Sequence, residues 1–359
     1  MEILSKFRDL FIVCPIGAQV SQSLSQFGKL REYLRKKMTL EYFVHGSCTV
    51  GSGGMTLIVH FEYLPRQELI FSSKIHLDAT DLSGIGSKIA SECVVPIISH
   101  FQRNEAESWD AFGRSEDEQA FREAQKLMTQ RTLGALDQAR RMLVGILERC
   151  GEIGSVYVAL ARAEHTYGQL LGGEQFVEAL EKARVHAKKA IEIDDLNPRA
   201  HGELALQDLF LRKHTTAAEE YQRALRLNPY DPFLLADWAD CLAHIGRADE
   251  ALPILENLSA SWPSDKAWVE WNQCDAEWVL NRPEKIIELL RDGPDLPYVP
   301  RYLAASYAKL GRMTEARYHA ERVRAHQPDF SAKVWSRNPP YIDRDIAEEY
   351  ADCLGKAGL

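Results

Sequence analysis

The sequence predicts an α+β protein: a small N-terminal α/β sandwich over residues 1–104, followed by an all-α superhelix of repeated helix pairs over 115–359. Three observations predict it. The chain of 359 residues exceeds what one ordinary compact core accommodates. In the first hundred residues apolar side chains alternate with the strand period of two. Beyond residue 115, alanines, glycines and prolines return at fixed spacings, the mark of a stacked array.

In the first domain the predicted order is β-α-β-β-β-α. The apolar stretch LFIVCPIGA (10–18) is short for a signal segment, follows Asp9, and has Val13 rather than Gly or Ala before Cys14. It reads as a buried strand at about 10–15, with a helix after it at about 20–37. In that helix Lys29, Arg31, Arg35, Lys36 and Lys37 form a polar face whose last-turn cations suit the helix dipole. YFVHGSCTV (42–50), GMTLIVHFEY (54–63) and ELIFSSKIHL (68–77) read as three antiparallel strands joined by turns at 51–54 and 64–67. A helix is predicted at 83–101. The stretch GSCTVGSG (46–53) lacks the lysine that a phosphate loop needs and leads into a strand, so it reads as a hairpin turn.

Past residue 115 the alanines set the register. Ala183 and Ala217, Ala190 and Ala224, and Pro198 and Pro232 each lie 34 residues apart. Gly246 and Gly311, Ala251 and Ala316, and Pro263 and Pro328 each lie 65 apart, one such period plus 31. A period near 34 with small residues at fixed places is the signature of tetratricopeptide repeats, so the second domain is predicted as a tetratricopeptide-repeat superhelix. Each repeat is two antiparallel helices. Small side chains let the second helix approach the first and the next repeat. Gly246 and Gly311 sit in the turn within a pair, where positive φ is needed, and a proline ends each second helix.

Pairs are predicted at 199–229, 233–263, 266–296 and 298–328. Before them come a pair at 156–195 with a loop insertion at LGGEQ (171–175), and an irregular first pair within 117–150. The segment 344–359 is amphipathic through Ile346, Tyr350 and Leu354, and can cover the apolar end of the stack.

Composition bounds the function. Residues 1–104 carry 11 Lys and Arg against 9 Asp and Glu, and the remainder 32 against 43. An acidic array is a poor surface for nucleic acid. No run approaches the ~18 apolar residues of a membrane helix. Seven scattered cysteines, none in Cys-x-x-Cys, suit reduced thiols in the cytoplasm. No HExxH pair, Gly-x-Ser-x-Gly elbow or recognisable nucleophilic cysteine occurs, so no catalytic residue, metal or cofactor is predicted, and the chain is expected not to be an enzyme.

LSKFRDLFIV (4–13), the strand pair around FVHGS (43–47) and DATDL (78–82) before a helix resemble the TolB-like N-terminal domain. In bacteria that domain precedes tetratricopeptide arrays in CadC-type transcriptional regulators and class III adenylate cyclase-like proteins. QPDFS (327–331), NPPYID (338–343), LGKAGL (354–359) and the Trp-rich AWVEWNQCDAEW (267–278) resemble the closing part of those arrays. The resemblance covers nearly all of the chain, rests on structural motifs, and implies a bacterial regulator in signal transduction or transcription regulation. Two features depart from the pattern. Within these 359 residues no winged helix or cyclase is read before the domain, and the domain is expected to start late, lacking its first strand. The resemblance therefore implies either the sensory half of a larger regulator, whose output domain lies upstream, or a shortened stand-alone relative. A missing strand would leave an unpaired edge and favour a homodimer through the N-terminal domain.

The expected function is non-catalytic: binding of a partner protein or peptide in the groove of the array. Phe233, Asp237, Asp240 and His244 are expected on the concave face in one repeat, with Arg301, Ala305 and Lys309 two repeats later. Acid at one end and base at the other could orient a polar peptide. Trp262, Trp268, Trp271 and Trp278 crowd one stretch, and Trp271, Cys274 and Trp278 share a helical face. In one register this stripe is core; in the other it faces the groove and could grip a ligand. The two-carboxylate clamp of chaperone-binding relatives is excluded, because Gly202, Leu206, Ala236 and Asp240 stand where it needs Lys and Asn.

Overall fold

The computed structural model describes residues 42–51, 54–64, 68–78, 92, 93 and 116–359, the last stretch without 230, 262–265, 292–298, 329, 337 and 338. The chain divides into two units, residues 1–113 and 114–359.

In the first unit β1 (Tyr42–Gly51), β2 (Gly54–Tyr63) and β3 (Glu68–Asp78) form an antiparallel sheet in the order β1-β2-β3. The predicted strand bounds hold to within a residue. Alternation sends Met55, Leu57 and Val59 of β2 to the face where Ile75, Leu77 and Cys93 are buried. Gly46 is where β1 passes closest to β2: an added Cβ would lie 2.0 Å from the Ile58 carbonyl oxygen. The predicted strand at 10–15 and helix at 20–37 lie outside the described residues, as does the helix at 83–101 apart from residues 92 and 93.

The second unit is a run of helix pairs: α1 (Glu116–Thr129) with α2 (Leu133–Cys150), α3 (Gly154–Leu171) with α4 (Gly173–Ile193), α5 (Pro198–Phe210) with α6 (His214–Leu227), α7 (Pro232–His244) with α8 (Ala248–Ser261), α9 (Lys266–Val279) with α10 (Pro283–Leu290), and α11 (Val299–Lys309) with α12 (Met313–His326). A short α13 (Ala332–Trp335) and α14 (Arg344–Ala357) follow. The six pairs are tetratricopeptide-like repeats. Their seams are the predicted small residues: Ala183, Ala190, Ala217, Ala224, Ala251 and Ala316 are all at 0% exposure.

The corners follow from local chemistry. Asn197 and Asp231 cap α5 and α7 by accepting from Arg199 N and Phe233 N, each with a proline at the next position, where a missing N–H costs nothing. Every turn within a pair contains a residue at positive φ. Gly246 (83°) and Gly311 (73°) supply it as predicted, but Arg131 (49°), Arg212 (61°) and Asn281 (58°) do so in three other pairs. The expected loop insertion at 171–175 is not a loop. Helix α3 runs to Leu171 and α4 starts at Gly173, because Gly172 (72°) and Gly173 (57°) reverse the chain between them. At the far end α14 packs on α11 and α12, burying Tyr350 and Leu354, with Ile346 half-buried beside them.

Candidate functional site

The first helices of the pairs bring their polar side chains together along one face. Arg162 on α3 donates from Nε to Glu203 Oε1 of α5 (2.8 Å) and from Nη2 to Asp237 Oδ2 of α7 (2.5 Å), tying three pairs together. Both carboxylates are buried. Burial pushes Glu203 up to about 7, against the pull of Arg162. His165, one turn along α3, is held neutral: burial pushes it down to about 3, and Nδ1 pairs with Gln207 Oε1 at 2.8 Å.

A second cluster lies between α7, α9 and α11. His244 Nδ1 donates to the Asp240 carbonyl (2.8 Å) and lies 3.3 Å from its carboxylate, while Nε2 lies 3.9 Å from Asp275 Oδ1. Burial alone would lower the His244 pKa; Asp240 and Asp275 outweigh it and raise it to about 9, so it is an imidazolium at neutral pH. Asp275 accepts the Tyr302 hydroxyl at 2.7 Å on one oxygen and the Tyr341 hydroxyl at 2.5 Å on the other. Trp271 Nε1 donates to Tyr302 Oη at 3.2 Å. Asp240, His244 and Asp275 lie close enough to hold a metal ion, a grouping no local motif shows. Their donor set argues against one: both Asp275 oxygens take tyrosine protons, and the imidazole carries its own.

A segment from the end of the chain is seated on this cluster. Arg212 Nη1 donates to the carbonyls of Pro339 (2.7 Å) and Tyr341 (2.9 Å), and His214 Nε2 to that of Pro340 (2.7 Å). The Ile342 amide donates to the His244 carbonyl at 2.8 Å. The Tyr341 ring lies over the His244 ring, centroids 4.5 Å apart, with its hydroxyl on Asp275. Pro339, Pro340 and Tyr341 are buried; Ile342 is exposed.

The structure places the predicted groove residues as follows. Asp237 is in the Arg162 bridge, and Asp240 and His244 form the second cluster. Phe233 is half-buried under the Arg199 guanidinium. Trp268 and Trp271 meet edge to face at 5.1 Å, with Arg131 from the first pair 4.5 Å above the Trp268 ring. Cys274 and Trp278, further along that helix, are core, so the stripe is core at one end and lines the polar face at the other. Trp262 lies outside the described residues. Arg301 lies beside Tyr302 and Phe330, and Lys309 turns to Glu349 of α14 at 2.6 Å, over the Trp278 ring.

Sequence reasoning missed Arg162, Glu203, Asp275, Tyr302 and the seated segment. A signal existed for two of them. Glu203 stands 34 residues before Asp237, and Asp275 stands 35 after Asp240 and 34 before Lys309, the same place in successive repeats.

No protein-family model matches the chain, and no curated protein sequence matches it. Solved structures do. PilF of Pseudomonas aeruginosa is 23% identical with a TM-score of 0.38, over 57% of this chain and 89% of that one. The TPR protein TTC0263 of Thermus thermophilus is 17% identical with a TM-score of 0.34, over 66% and 98%. The human IFIT1 dimer with m7Gppp-AAAA is 18% identical with a TM-score of 0.42, over 62% and 57%. None of these likenesses bears on function. Among the described residues no helix is long and apolar enough to cross a membrane.

Proposed function

We propose that the chain is a non-catalytic interaction protein whose array binds an extended segment of a partner protein or peptide along the face of the first helices. Residues 339–342 support this reading: a stretch without helix or strand is held there through three successive carbonyls, one amide and one aromatic side chain. Main-chain contacts of this kind suit any extended peptide, and a side-chain slot adds selectivity. Arg162 pairs with Glu203 and Asp237, and His244 with Asp240, an arrangement that positions these groups. Cys241, Cys274 and Cys353 are free and buried, which agrees with a reducing compartment such as the cytoplasm. The TolB-like reading of residues 1–104 belongs to the same proposal, in which the array receives a partner on behalf of a regulator. Panning a random peptide library on the full-length chain carrying Tyr341→Ala, which loosens residues 339–342 from the face, tests the binding claim. Enrichment of a peptide family that is lost with Arg212→Gly and with Asp240→Lys supports it. Recovery of no family, or of families indifferent to both changes, overturns it.

A further inference from the structure

We propose that the third to fifth pairs form a site for a Pro-Tyr-aliphatic peptide of a partner, and that residues 339–342 of this chain occupy that site in cis. The proposal deepens, and rests on, the peptide-binding reading above.

Each residue of the segment shows what the site recognises. Pro339 and Pro340 lack N–H groups, so their buried backbone offers only carbonyls, and Arg212 and His214 take both. The proline rings also preset an extended chain, which lowers the entropy lost on binding. Tyr341 fills the slot above His244, and its hydroxyl reaches the buried Asp275 carboxylate. A phenylalanine would leave that oxygen without the donor, so the slot favours tyrosine. The next amide closes on the His244 carbonyl, one of the unpaired carbonyls at the end of α7. The following side chain, Ile342, lies over Gly246, with Cγ2 4.0 Å from where a Cβ would be, and is half exposed, so this position asks only for an aliphatic contact.

Arg212 is the second observation. It makes its turn at φ 61°, where the fourth and sixth pairs use Gly246 and Gly311. Glycine adopts that conformation freely and arginine does not. The turn is better made without the guanidinium; the carbonyls of Pro339 and Tyr341 are not better held without it. A side chain kept at a strained position, gripping main chain in a sequence-independent way, fits a binding element better than a structural one.

Tethering explains why the site is filled. A short tether holds its segment at millimolar effective concentration, so a free peptide competes only when the cis segment is weakened or the partner adds contacts elsewhere.

The test is fluorescence anisotropy with a labelled synthetic peptide of residues 339–346 and the full-length chain. With Tyr341→Ala in the protein the peptide is expected to bind saturably, and wild type to bind it about tenfold more weakly or worse, the worth of one hydrogen bond to a carboxylate. Adding Arg212→Gly, which restores the unstrained turn residue, should abolish binding. A peptide with phenylalanine for its tyrosine should bind about tenfold more weakly. Tyr341→Phe keeps the ring in its slot and serves where the alanine variant does not fold, with a smaller gain in the same direction. Saturation absent up to millimolar peptide in a folded variant overturns the proposal. So does binding indifferent to Arg212→Gly, or a Tyr341→Ala chain that dimerises and excludes the peptide, which would make a second copy the occupant. A library family bound by the array while this peptide is not would overturn this proposal and leave the broader interaction reading standing.

Discussion

Arg162 touches two buried carboxylates, and removing it would strand both. Replacing one partner of a buried pair costs more than the pair contributes, because the remaining charge keeps its desolvation penalty. Arg162→Met is therefore expected to lower stability by about 3 kcal/mol in urea unfolding, with part recovered when Asp237→Asn is added. His244 gives a pH dependence whose sign follows from its raised value. The folded state holds the proton more tightly than the unfolded chain, so this contribution is full below about 6.5 and is lost as pH rises through about 9. Asp240 and Asp275 face the imidazolium, with Tyr302, Tyr341 and His214 around them; burial holds both tyrosines well above their ordinary range, so neither titrates in that window. Glu203, also raised by burial, loses its contribution lower, between about 4.5 and 7. His165 runs the other way: its contribution is full above 6.5 and lost as pH falls toward 3. The thermal midpoint of wild type should thus fall from pH 7 through 9, while His244→Gln should start lower and fall less across that window, its remaining loss coming from Cys241 and Cys274, whose thiols burial keeps protonated.

At the scale of the elements, the turns within pairs separate what a sequence displays from what it hides. Gly246 occupies positive φ, so Gly246→Ala should cost about 1–2 kcal/mol, read as a lower midpoint in thermal unfolding. Gly246 and Gly311 were legible because glycine is the default residue at positive φ. Arg131, Arg212 and Asn281 take the same conformation without announcing it, and what the two arginines contact shows only in three dimensions: Arg131 reaches a tryptophan of the fifth pair and Arg212 the end of the chain. The helix pairs and the strands were legible because each repeats a local period, with Ala217 and Ala224 marking fully buried seams. The glycines at 172 and 173 misled by composition, since a pair of them marks a long loop and a tight reversal alike. Of the second cluster, Asp240 and His244 were visible on one helix, but Asp275 needed the repeat register and Tyr341 needed the fold. Arg212 and Pro339 are 127 residues apart, and no periodicity links them.

For the whole molecule, the end of the chain does two jobs. Helix α14 covers the last pair: Tyr350 packs against Trp278, Tyr302 and Trp335, with Leu354 buried beneath it. A chain ending before α14 would expose that cluster and should aggregate or melt well below wild type in a heating experiment monitored by light scattering. The segment before α14 fills the face on which a partner would dock. Its seating is also what the peptide-binding reading depends on most, and hydrogen exchange reads it directly. The Ile342 amide, bonded to the His244 carbonyl, is expected to exchange slowly in the full-length wild-type chain and much faster with Tyr341→Phe, while the amides of α7 stay protected in both. Fast exchange at Ile342 in wild type would mean that the segment does not occupy the site, and would contradict the proposal.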